Sequence, residues 1–270
     1  MKKKQWRKSI LAIFIAFIHI VPIYITLAAS VKEMGDFSSY WTLPKKIFLE
    51  NYIVAFKSVN LLIAFKNTII ITIVSVSITI VLGAMAAYPL ARNRTRFNNF
   101  IITFILAIMM IPPLSLLVPL YSFVSIIKGI STYWGIIIIQ VTFQLPLSIF
   151  LFTNFIKTIP KELDEAATLD GCSMFSIFYR IILPLLKPVT ATVVILTGVA
   201  VWNDYQFSLY FLQKPDMNVL TLAISSFFAQ SATDIHVAAA AAVMAIIPIT
   251  VIYIFLQKYF VQGMVDSAIK

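Results

Sequence analysis

The chain has 270 residues, of which 60% are hydrophobic and only 12% charged, with a formal net charge of +10. Soluble domains carry about a quarter charged residues, so a water-soluble globule is excluded. The 21 Lys and Arg residues lie mainly beside long apolar blocks, which speaks for membrane flanks and against nucleic acid.

Six apolar blocks follow one another at about residues 9–30, 68–90, 100–122, 133–155, 187–209 and 237–259. Each is close to the roughly 20 residues a helix needs to cross the hydrocarbon core. The fold predicted is all-α: a polytopic membrane protein of six transmembrane helices in one domain, residues 1–270, with no linker, repeat or low-complexity tract. Ile69–Ile80 is β-prone by propensity, but its continuous apolarity fits a helix in lipid better than the alternation of a barrel strand. The first block follows the basic start MKKKQWRKS, as a signal peptide would. Its length exceeds the roughly 7–15 residues of a signal core, so it is read as a retained span.

Between the first two blocks, residues 31–67 carry Trp41, Pro44 and Glu50-Asn51-Tyr52. The segment is expected at headgroup level, with a docking surface for an external partner as the second reading. In block three, Pro112, Pro113 and Pro119 predict a break near the outer half of the span. Irregular backbone at depth is tolerated beside a cavity, a transporter device, although prolines are frequent in membrane helices generally.

The basic residues orient the chain. With the N-terminus inside, the outer segments hold seven, Lys32, Lys45, Lys46, Lys57, Lys66, Lys128 and Lys214, and the inner segments hold the other fourteen of the 21. That bias places both termini in the cytoplasm and the segment between spans four and five inside.

Catalytic chemistry is missing from the pattern. Cys172 is the single cysteine, so neither an intrachain disulfide nor a cysteine-based metal site can form, and His19 and His236 are isolated and read as packed or interfacial. The sequence has no GxxxxGK[ST], HExxH, GxSxG or CxxC, so no catalytic residue, metal ligand or cofactor site is assigned. The polar groups near the spans are Gln140, Thr142 and Gln144 in block four, and Trp202-Asn203-Asp204-Tyr205-Gln206 at the end of block five. Gln140, Gln144, Trp202, Asn203, Asp204 and Tyr205 form a candidate solute path, since aromatic faces with amide and carboxylate groups suit a polyhydroxylated solute. The same groups also suit interfacial anchoring, and composition leaves both readings open.

The inner segment, residues 158–186, interrupts the apolar pattern. Pro160 suits a first helical turn, Glu162, Asp164 and Glu165 suit the positive end of a helix, and Gly171 suits its left-handed close. A helix of about three turns is predicted over Pro160–Asp170, with Ala166 and Ala167 giving it a side without bulk that another protein can approach. Ser173 is placed to cap a second helix with an apolar face at Phe175, Phe178, Tyr179 and Ile182. Pro184 and Pro188 then end or bend it before span five. An acidic, small-sided helix is the reverse of a basic membrane-surface helix, so a cytoplasmic protein partner is the better account.

Glu165-Ala166-Ala167, then Gly171, then Ile181-x-Leu183-Pro184, with Asp170 before the glycine, is similar to the EAA---G---------I-LP signature of permease subunits of bacterial binding-protein-dependent ABC importers. Trp202-Asn203-Asp204, Thr221-Leu222, the Ala-rich opening Ala238–Ala242 and Gln257–Gly263 resemble the carbohydrate branch, of the maltose type. The resemblance covers essentially Lys8–Lys270. It implies that the helix bearing Glu165, Ala166, Ala167 and Gly171 is a coupling helix seated in an ATPase, with Asp170, Ile181, Leu183 and Pro184 in the same signature. It also implies an ATPase dimer that uses ATP and Mg, a second homologous permease subunit, an external solute-binding protein, surrounding membrane lipid and a bacterial inner-membrane location. The tail at Gln262 and Gly263 is implied to reach towards the ATPase, although Met264–Ala268 has less glycine than family tails there. The alternatives are a permease of the same class for a non-sugar solute, and an ATP-independent secondary transporter. The latter calls for intramembrane charges and no docking helix.

Overall fold

The computed structural model describes residues 2–33, 35–36, 38–58, 60–230 and 235–268, and within these the side chains of all but 2–5, 7, 58, 228–230 and 259–268. In chain order the helices are α1 (Lys2–Ser30), α2 (Glu50–Ser58), α3 (Leu61–Arg92), α4 (Arg96–Met109), α5 (Leu117–Ile126), α6 (Tyr133–Ile156) and α7 (Glu162–Leu169). Then come α8 (Met174–Ile177), α9 (Leu183–Leu185), α10 (Lys187–Trp202), α11 (Gln206–Phe211), α12 (Leu220–Gln230) and α13 (Ile235–Ala268). No strand occurs among the described residues, and Ile69–Ile80 is helical within α3. Among the described residues, four helices are long and apolar enough to cross a membrane alone, and up to six spans result if two bent pairs each count as one. The chain is a helical polytopic membrane protein.

The bends have local causes. Helices α4 and the Pro113–Ile126 segment meet at 90° across Met110–Pro112. Pro112 precedes another proline, which forces its backbone into the extended region (φ −61°, ψ 124°), and neither proline has an N–H to continue the helix. The second pair, Met174–Leu185 and Lys187–Trp202, bends by 73° at Leu186, flanked by Pro184 and Pro188. Two expected boundaries change. Block two starts at Leu61 rather than near 68, and residues 50–58, expected within a loop, form α2. Block five is not one helix to 209: α10 stops at Trp202, and the chain turns over Asn203–Tyr205 before α11.

The chain divides into two compact units, Met1–Phe65 with Val219–Pro248, and Lys66–Asn218 with Ile249–Lys270. In the first unit, the buried Asn51 amide donates to the carbonyls of Ser30 (3.0 Å) and Lys32 (2.6 Å), tying α2 to the end of α1. The Lys32 ammonium is itself buried and donates to the Ser38 and Ser39 carbonyls and the Ser38 hydroxyl. His236 takes the packed alternative of its two readings, with Nδ1 3.0 Å from the Ala29 carbonyl oxygen. The alanine run opening α13 explains the close fit here: Val237, Ala238, Ala240 and Ala241 are buried together with Ala55 of α2 and Phe227 of α12.

In the second unit, α3 carries small residues at every fourth position, Ser75, Thr79, Gly83, Ala87 and Ala91, all buried. Such a stripe lets helix backbones approach closely in a membrane, where lipid is as apolar as any side chain and packing must hold helices together. The partner is α6. Ser148 donates to the Thr79 carbonyl at 3.2 Å, and a Cβ built on Gly83 would overlap the Ser148 hydroxyl. Ala84, Ala87, Tyr88 and Ala91 then join Phe152, Ile156, Phe178, Ile182, Leu186 and Val193 in one apolar cluster.

Candidate functional site

The segment between α6 and α10 is built on this cluster. Helix α7 spans Glu162–Leu169, about two turns rather than three, with Lys161 as N-cap. Pro160 thus lies before the helix, and the three acids Glu162, Asp164 and Glu165 occupy its first turn. Gly171 closes it at φ +78°, where a Cβ-bearing residue would be strained, and Ser173 caps α8 by accepting from the Ser176 amide.

The signature residues divide into two sets. Glu165, Ala166, Asp170, Gly171 and Pro184 are exposed, whereas Ala167 is 6% exposed and Ile181 and Leu183 pack on the apolar cluster. The expectation that both alanines face a partner is therefore corrected. Successive helical residues point about 100° apart, so Ala166 turns outward and Ala167 seats α7 on the chain's own core. The apolar face expected at Phe175, Phe178, Tyr179 and Ile182 also divides: Phe178 and Ile182 are buried, but Phe175 and Tyr179 are exposed. A π turn over Phe178–Ile182 is the reason, because its wider winding shifts the register that a 3.6-residue period assumes. Leu169, 89% exposed, Met174 and Phe175 join Glu165 and Ala166 to make an outward surface that is acidic at one end and apolar at the other.

Sequence reasoning missed what holds α7 from behind. The Arg92 guanidinium, at the end of α3, approaches the Asp164 carboxylate at 2.7 Å as an ion pair outside good hydrogen-bond angles. It also donates to the carbonyls of Ile156 (3.2 Å) and Ile159 (2.9 Å). Tyr88 donates to Asp164 at 2.6 Å, and the Lys161 ammonium reaches the Arg92 carbonyl at 3.3 Å. Arg92 counted in the sequence only as a basic flank, and nothing in spacing pairs it with an acid 72 positions later.

The candidate solute-path residues do not form one site. Gln140 is buried beside Asp204. Both Asp204 carboxylate oxygens cap α11, accepting from the amides of Phe207 (3.2 Å) and Ser208 (2.9 Å) and from the Ser208 hydroxyl (2.8 Å). Asn203 is exposed and bonds back to the Val199 carbonyl, Trp202 is buried and Tyr205 is exposed. Gln144 instead lines a groove of about 560 Å³ beside the broken span, with Ile108, Pro113, Phe123, Trp134, Thr142 and Phe207. The break expected in block three thus lies beside a cavity, but the cavity is mainly apolar. Gln262 and Gly263 belong to α13, and their side chains lie outside the described residues. No metal-binding group of His, Cys, Asp and Glu occurs among the described residues.

Known proteins share this architecture. Over 263 residues the chain is 44% identical to the melibiose/raffinose/stachyose import permease protein MelC of Bacillus subtilis (strain 168), covering 97% of this chain and 95% of that one. It is 31% identical to the arabinooligosaccharides transport system permease protein AraQ of Halalkalibacterium halodurans, over the full length of both. Among solved structures, a chain of a bacterial ABC transporter involved in the import of the acidic polysaccharide alginate superposes with a TM-score of 0.80 at 22% identity, over 95% of this chain and 96% of that one, a likeness of fold. Residues 79–266, which include the whole α6–α10 segment, match the family described as binding-protein-dependent transport system inner membrane component, and the chain belongs to that family.

Proposed function

We propose that the chain is one of two permease subunits of an ATP-driven importer that translocates a sugar or oligosaccharide delivered by an external solute-binding protein. Its termini lie in the cytoplasm, where an ATPase dimer binds ATP and Mg and seats the α7 surface. The observation that carries the reading is the two-sidedness of α7. Glu165, Ala166 and Leu169 are free to meet another protein, while Ala167 and Asp164 fix the helix to the chain's own core. A chain without a P-loop needs such a handle for its energy supply. The sugar class is supported by the names of relatives, above all the one 44% identical over nearly the full length. The 90° bend beside the groove supplies a hinged span for switching access between the two sides.

The test uses the whole importer. Glu165→Lys is expected to leave membrane insertion intact, to abolish co-purification of the ATPase and to stop uptake of tritiated raffinose. Unchanged uptake would sink the docking assignment. Isothermal titration of the external binding protein against a sugar panel decides the substrate class, and binding of a non-sugar solute alone would favour the other permease reading.

A further inference from the structure

From the cluster behind α7 we infer that Arg92 and Asp164 are positioning residues that make α7 one rigid block with the inner ends of α3 and α6. The inference deepens the proposed coupling role and rests on it. One guanidinium serves three elements: it belongs to α3 and donates to the carbonyls of Ile156, the last residue of α6, and of Ile159 beyond it. Its third contact is Asp164 in the first turn of α7. Side chains of both partners are largely shielded, at 10% and 15% exposure, so water screens the pair little.

The surrounding contacts point the same way. Tyr88, one turn before Arg92, bonds the same carboxylate and packs its ring 5.5 Å from that of Phe178. Lys161 closes the loop by reaching back to the Arg92 carbonyl. A displacement of α7 by an ATPase therefore cannot be absorbed by the Thr158–Lys161 connection alone. It is passed on to the inner ends of two membrane helices. Packing through Ala167 gives contact but no direction, since apolar surfaces slide. The ion pair and the two carbonyl bonds fix the angle as well.

The prediction separates a tie from a mere stabilising contact. In proteoliposomes holding the complete importer and its binding protein, Asp164→Asn and the neutralised pair Arg92→Gln/Asp164→Asn should assemble and hydrolyse ATP near the wild-type rate. Tritiated raffinose taken up per ATP should fall about fivefold or more, the lower end of usual coupling strengths. Asp164→Glu should restore it. A second measurement needs no substrate: the distance between spin labels at positions 94 and 168 should be narrow and the same with and without ATP in the wild type, and broad in the neutralised pair. Unchanged uptake per ATP with a narrow distance distribution would overturn the inference. So would parallel loss of assembly, hydrolysis and uptake with Asp164→Glu failing to rescue. Failure of the wild-type chain to hold an ATPase would refute the docking role instead, and the label distances would still decide the tie.

Discussion

Replacing Gly83 by valine tests whether the α3–α6 approach sets the core of the second unit. A Cβ at this position overlaps the Ser148 hydroxyl and lies 3.0 Å from Ser148 Cβ and 3.5 Å from Phe152 Cδ2. Ser148 and Phe152 are fully buried, so neither can swing into open space. Turning the serine away sacrifices its bond to the Thr79 carbonyl, worth about 1 kcal/mol, and still leaves the carbon–carbon contact too short. Overpacking of this kind costs about 1–3 kcal/mol, and the better helix propensity of valine over glycine returns only a few tenths. The net expectation is roughly 2–3 kcal/mol, or a fall in Tm of about 5–10 °C for a chain of this size. The assay is thermal unfolding in lipid nanodiscs. The double change Gly83→Ala/Ser148→Gly moves the carbon from one helix to the other; the helix-propensity gain of about 1 kcal/mol at 83 exceeds the loss of roughly 0.5 kcal/mol at 148, and the difference partly offsets the lost Thr79 bond. It should recover most of the loss that Gly83→Ala shows alone. An unchanged Tm for Gly83→Val, or no recovery in the double variant, would refute the close-approach account.

Asn51→Ala should loosen the junction of α1 and α2 by about 2 kcal/mol, one for each carbonyl bond lost, and speed proteolysis within residues 38–49; equal cleavage rates would show that the loop does not depend on this amide. Asp204→Ala should fray α11 by about 1 kcal/mol, the usual worth of a cap, seen as several-fold faster amide exchange at Phe207 and Ser208. If exchange stays slow while sugar uptake collapses, Asp204 acts on the solute rather than on the helix.

Much of this was legible in the residues because the signals are local. Long apolar blocks, paired prolines, the acidic first turn of α7 and the glycine that closes it each act within a few positions. What escaped is set by distance or by winding. Asn51 looked like part of an interfacial loop because its carbonyl partners are 19 and 21 residues away. The outward turn of Phe175 followed from a π turn that no period of 3.6 reveals. Asp204 looked like a pathway acid because sequence shows a charge near a span but not the amides that use it. The small stripe on α3 was present as Ser75, Thr79, Gly83, Ala87 and Ala91, yet β-branched neighbours hid it among strand-like residues.

The π turn at Phe178–Ile182 bears on how relatives of this chain are aligned. A π turn behaves as one extra residue accommodated within an otherwise regular helix. A homologue lacking that residue would keep both flanking helices and the faces they present, because the extra residue is taken up within the wider turn. In such a chain the counterparts of Phe175 and Ile177 would keep the outward and buried sides they have here. A single-position gap placed in this stretch therefore keeps like faces paired, and aligning straight through it would pair residues about 100° apart around the helix.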